Sequence, residues 1–120
     1  MLAAVIIGGA LGALCRFTLG LVWQAPGGTL TVNVVGCFLI GVLAPTIHSR
    51  ARWLSGLVIT GFLGGFTTYS AFAQDAFLLL ESSDPNGPWL ALGYVLATAS
   101  AATLAVSAGV LLNSRLGRAS

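Results

Sequence analysis

Gly61-Phe62-Leu63-Gly64-Gly65-Phe66-Thr67-Thr68-Tyr69-Ser70-Ala71-Phe72 stands in the middle of the third long apolar stretch of this chain. A glycine pair and four successive hydroxyl-bearing residues, 67–70, occupy a place where a membrane helix would ordinarily be hydrocarbon. In lipid an unwound backbone is tolerated only where protein buries it or where it lines a polar cavity. Broken membrane helices present backbone dipoles to ions. The stretch therefore predicts a third helix broken near its middle, and with it a site.

The rest of the composition sets the solvent. Charged residues make up 7% of the 120-residue chain and apolar residues 57%, whereas a soluble domain carries about 25% charged residues. Net charge is +2 and no basic run tracks a phosphate backbone, so nothing points to nucleic acid as a partner. The acids are Asp75, Glu81 and Asp84, and the cations are Arg16, Arg50, Arg52, Arg115 and Arg118. Cys15 and Cys37 lie inside apolar segments and read as packing residues. His48, the single histidine, falls beside Arg50 and Arg52 and reads as interfacial. No nucleophile–base pair or metal cluster can be assembled, so an enzyme is not expected. Gly8, Gly9 and Gly12 follow no strand and make no dinucleotide fingerprint.

Working outward, four apolar spans cover about 2–23, 30–47, 53–80 and 89–112. Each is near the ~20 residues needed to cross hydrocarbon. Trp23, Trp53 and Trp89 fall at span edges, where amphipathic rings favour the headgroup layer. The first span lacks the basic leader of a signal peptide. One all-α transmembrane domain over 1–120 is expected. Arg50, Arg52, Arg115 and Arg118 share one side, while the loops opposite hold no Lys or Arg and carry Glu81 and Asp84. That bias predicts a multi-pass protein of the cell membrane with both termini cytoplasmic.

Gly8/Gly12 and Gly61/Gly65, each four apart, allow close helix approach, with Gly36 and Gly41 adding slim surface. Four slender helices do not enclose a solvated path, so a dimer is expected. The alternative is that these glycines pack helices within one chain.

Several polar residues inside the spans need partners. Arg16 either caps carbonyls of a broken helix, snorkels toward an interface, or attracts an anion. Asn33 offers amide donors without formal charge, suited to an anion that binds and leaves, or to a helix–helix hydrogen bond. Tyr69 and Phe72, three apart, share a face and present positive ring edges, or simply pack. Asp75 follows one turn on, at the mouth of a path or near the headgroups. Tyr94 and Thr98 form a possible polar track, and Ser100, Thr103 and Ser107 a separate stripe. Hydroxyls of this kind often bond back to their own helix.

Three of these segments resemble the Fluc/CrcB fluoride channels. Residues 8–17, Gly-Gly-Ala-Leu-Gly-Ala-Leu-Cys-Arg-Phe, resemble the family's Gly-Gly-x-x-Gly-Ala-x-x-Arg-aromatic signature. Residues 28–36 resemble its Gly-Thr-Leu-x-x-Asn-x-x-Gly, and residues 61–72 its Gly-Phe-x-Gly-Gly-hydrophobe-Thr-Thr-Phe-Ser-Thr-Phe. The resemblance implies a passive fluoride-selective channel that exports cytoplasmic fluoride and lowers its toxicity. It implies an antiparallel dimer, homomeric or formed with a related chain, with two pores and a structural sodium ion at the interface. By the same resemblance Asn33, Tyr69, Ser70, Phe72, Tyr94 and Thr98 belong to the fluoride pore. The backbone carbonyls of Gly64 and Thr67 hold sodium, Arg16 matches the first-span arginine, and Asp75 the acidic residue at the pore mouth.

The chain departs from the pattern at Tyr69, in place of Phe, and at Ala71, in place of Thr. The added phenol predicts slower conduction. The one-sided arginines predict a single insertion orientation, and so a partner chain of opposite bias. Two other functions compete. A non-conducting or partner-dependent subunit predicts no flux alone. A small four-span multidrug exporter needs a buried carboxylate in its first span, where this chain has Arg16 and no Asp or Glu.

Overall fold

A computed structural model describes residues 1–117 of the chain. Its order is α1 (Leu2–Val22), α2 (Gly27–Ile47), α3 (Arg52–Ser55), a π-helical segment (Gly56–Leu63), α4 (Gly64–Phe66), α5 (Tyr69–Leu80) and α6 (Gly87–Leu116). α1, α2, the 52–80 segment and α6 are each long and apolar enough to cross a membrane. The protein is a multi-pass, all-helical membrane protein.

Its surface says the same. Ile6, Leu14, Phe17, Leu21, Val22, Leu104 and Leu111 are exposed, while the buried apolar residues are few, among them Val32, Leu63, Phe66 and Ala91. Hydrocarbon outside removes the hydrophobic drive between helices, so small residues and close backbone contact take over. A Cβ on Gly8 would collide with the Leu57 carbonyl and lie 2.8 Å from Phe62 N. One on Gly12 would strike the Phe62 carbonyl, and one on Gly65 the Gly9 carbonyl. α1 thus lies directly on the π-helical segment and α4. On the other side a Cβ on Gly41 would meet the Val106 carbonyl, and one on Gly109 the Phe38 carbonyl, which brings α2 against α6. The pairs Gly8/Gly12 and Gly61/Gly65 therefore serve packing within one chain, the second of the two readings their spacing allows. They supply no argument for a dimer.

Helix ends differ from the sequence boundaries for local reasons. α2 starts at Gly27 directly after Pro26, whose fixed φ suits a helix start. α6 has Pro88 in its first turn and runs 30 residues, about 45 Å at the usual rise. That exceeds the ~30 Å of hydrocarbon, so the polar residues after 112 remain helical in the headgroup layer. Asn113 Nδ2 holds this last turn to α2 by donating to Val42 O and to Thr46 Oγ1, both at 2.7 Å. α2 itself continues through Pro45 to Ile47. Arg118, grouped by sequence with the arginines at this end, lies outside the described residues.

The third span is wound in an order that the sequence did not announce. Gly64 and Gly65 stay helical, and the extended residues are Thr67 (φ −76°, ψ 157°) and Thr68 (φ −148°, ψ 119°). Before them comes a π-helix that contains Gly56 and Gly61. A Cβ on Gly61 would lie 2.8 Å from the Val5 carbonyl and 2.9 Å from the Gly56 carbonyl, which confines that position to glycine.

Candidate functional site

Thr68 organises the site. Its side chain caps α5, with Ala71 N donating to Thr68 Oγ1 at 3.1 Å. Its backbone is held from α2: Asn33 Nδ2 donates to Thr68 O at 3.0 Å, and Thr68 N donates to Asn33 Oδ1 at 2.8 Å. Both residues are buried. Ser70 Oγ lies 3.3 Å from Thr68 Oγ1. Asn33 therefore makes the interhelical hydrogen bond, with one amide N–H spent on it and a second left over by the chemistry of the group.

These bonds redirect helical donors. The Thr68 N–H that would serve the Gly64 carbonyl four residues back goes to Asn33 instead. The Ala71 N–H that would serve Thr67 O goes to the Thr68 hydroxyl. The carbonyls of Gly64 and Thr67 are thus deprived of their ordinary helical partners. The intervening Gly65 carbonyl accepts from Arg16 Nε at 3.3 Å. Arg16 is half-buried and acts as a carbonyl cap, one of the roles its depth suggested.

On α5 the aromatic residues form a ladder. Tyr69 and Phe72 have ring centroids 5.8 Å apart and tilted by 46°, and Phe72 and Tyr94 of α6 are 5.5 Å apart at 32°. Tyr94 OH donates to Asp75 Oδ2 at 3.3 Å. Asp75 is only 8% exposed and lies between α5 and α6. Thr98, one turn beyond Tyr94, is 6% exposed, and its Oγ1 is buried without a hydrogen-bond partner. Thr103 and Ser107 bond back to their own helix.

The structure therefore gathers Tyr69, Phe72, Tyr94, Asp75 and Thr98 along one α5–α6 seam. Asn33 and Ser70 meet at Thr68, and Arg16, Gly64 and Thr67 cluster at the end of α4. Tyr69 is 81% exposed on the single chain, and Ser70 is also exposed. A cavity of about 480 Å³ opens between α1, α2 and this junction, with Arg16, Thr29, Thr31 and Thr68 among otherwise apolar walls. The sequence reading missed Thr68 as the central residue. Its signal was present, a threonine immediately before a helix start. It also missed the role of Gly36, whose Cβ would collide with Thr67 Cγ2.

A four-span helical membrane protein with extended backbone and uncharged donors at mid-chain defines the class. Residues 3–110 match the family model described as CrcB-like protein, Camphor Resistance (CrcB). The chain is 48% identical over 115 residues to a "Fluoride-specific ion channel FluC" of Rhizobium leguminosarum bv. trifolii, covering 88% of this chain and 90% of that one. It is 51% identical over 89 residues to a protein of the same name from Rhizobium etli, covering 67% and 71%. It is 38% identical over 117 residues to "Fluoride-specific ion channel FluC 2" of Listeria monocytogenes serotype 4b, covering 90% and 86%. The chain belongs to the CrcB family.

Proposed function

We propose that this protein is a passive, fluoride-selective channel of the cell membrane. The observation that carries the reading is the Asn33–Thr68 clasp, which fixes extended backbone and a neutral amide inside a membrane span. Neutral donors and ring edges attract a small anion without holding it as a fixed charge would. Hydrofluoric acid enters cells as a neutral molecule and ionises inside. A leak for the anion then lets fluoride leave down its gradient, with no energy source required.

In this reading the third span is functionally interrupted at Thr67 and Thr68. Asn33, Ser70 and the Tyr69–Phe72–Tyr94 ladder, with Thr98, form the fluoride path, and Asp75 stands at its mouth. The exposed Tyr69 and the open junction beside it suit completion by a second, antiparallel chain. The redirected carbonyls of Gly64 and Thr67 fit a structural sodium ion at that interface. Among the described residues no three His, Cys, Asp or Glu side chains stand together, so a cation here would rest on backbone oxygen. When bound, such an ion supplies fixed positive charge between the subunits.

The arginine asymmetry favours a second feature. Arg50, Arg52 and Arg115 at one end, against Glu81 and Asp84 at the other, set one orientation with both termini cytoplasmic. The second chain is then a related subunit of opposite bias. Growth of a fluoride-sensitive bacterial strain tests the reading. Expression of this chain, alone or with such a partner, restores growth on fluoride, and no restoration in either case refutes it.

A further inference from the structure

A second cavity, of about 430 Å³, lies at the opposite end of α2 from the Asn33 site, between α2, α3 and the end of α6. Its walls are mostly apolar, from Val42, Leu43, Ile47, Leu54 and Leu116, with Thr46 and Asn113 (already bonded to each other) and Arg50 among them. Arg50, Arg52 and Arg115 are all exposed at this end of the bundle. No acidic side chain in the sequence falls there, since Asp75, Glu81 and Asp84 belong to α5 and the loop after it. Among the described residues the arginines therefore lack an internal counterion. Trp53, 58% exposed beside Arg52, marks the level of the headgroups.

We infer that this groove is a binding site for an anionic phospholipid, with the phosphate on Arg50 and an acyl chain along the apolar walls. Guanidinium geometry matches phosphate oxygens, and basic pockets between membrane helices take anionic headgroups. A soluble phosphate would satisfy the arginine yet leave the apolar walls uncovered, whereas one lipid satisfies both. The site is remote from the proposed fluoride path, and its occupancy stands or falls independently of fluoride conduction.

Trp53, next in the chain to the lining residue Leu54, is the reporter. In a variant with Trp23→Phe and Trp89→Phe, Trp53 fluorescence is titrated with brominated phosphatidylglycerol and with brominated phosphatidylcholine. The expected result is roughly fivefold stronger quenching affinity for the anionic lipid, the order set by one arginine near an anionic surface. Arg50→Gln removes most of that preference, and Arg50→Lys, which keeps the charge, retains it. Equal quenching by the two lipids before any Arg50 substitution overturns the inference, and so does a preference unchanged in Arg50→Gln. Relief of quenching by millimolar inorganic phosphate would instead mark a free-anion site and also overturn it. The comparison of the two lipids needs no Arg50 variant, so a variant that fails to insert does not protect the inference.

Discussion

Asn33 and Thr68, 35 residues apart, are joined at two points, the side-chain amide of one reading the backbone N–H and C=O of the other. The pairing replaces helical hydrogen bonds inside a membrane-spanning segment. Asn33→Leu leaves both Thr68 groups unpaired in the interior and should cost about 2–4 kcal/mol. Asn33→Asp keeps the acceptor for Thr68 N but sets a buried carboxylate oxygen against Thr68 O, so it should cost at least as much. Thermal unfolding of the purified protein in detergent measures both losses against the unsubstituted chain.

Gly12 faces backbone, and backbone cannot move aside as a side chain can. Gly12→Ala should drive α1 away from the third span and destabilise by about 1–3 kcal/mol. At Gly20 an added methyl group would have nothing within 4 Å. Gly20→Ala should therefore be neutral, or stabilising by up to about 1 kcal/mol through helix propensity. The same unfolding measurement compares the two. Similar losses at both positions would contradict the packing described.

Tyr94 and Asp75 tie α6 to α5 through one hydrogen bond to a buried carboxyl. Tyr94→Phe removes the donor, and Asp75→Ala removes the acceptor. A double-mutant cycle should show a coupling of about 1–2 kcal/mol, because the second substitution has no bond left to break. Additive losses would mean that the pair contributes nothing jointly.

Tyr69 projects from the single chain and carries a hydroxyl at a place where the related motif has phenylalanine. Tyr69→Phe should leave the stability of the single chain unchanged, since on it the residue is 81% exposed. Removing the phenol should raise fluoride flux by about fivefold, the equivalent of one hydrogen bond to a passing anion. Initial rates of efflux from vesicles measure this, and an unchanged rate would sink the explanation.

Four spans and an all-helical fold were legible because hydrocarbon demands long apolar runs, and polar punctuation at 24–28, 49–52 and 81–88 has few other meanings in such a chain. Which glycines meet which backbone was not legible. Gly8 and Gly12 advertise a slim face, yet only the register of α1 on Leu57 and Phe62 decides whether that face meets its own chain or another. The π-helix over Gly56–Leu63 was also hidden, although Gly56 and Gly61, five apart, match its i to i+5 winding. Within the site, Tyr69 and Phe72 could be paired by helical spacing. The Tyr94–Asp75 contact could not, because it joins two helices whose rotation the spacing of neither one fixes.

Fluoride efflux from liposomes tests the central claim most directly. The chain is reconstituted alone and with a related, oppositely biased subunit, and external fluoride and chloride are followed in parallel. The account predicts loss of trapped fluoride in at least one of these preparations while chloride stays inside. Retention of fluoride in both, or chloride escaping as fast as fluoride, would contradict it.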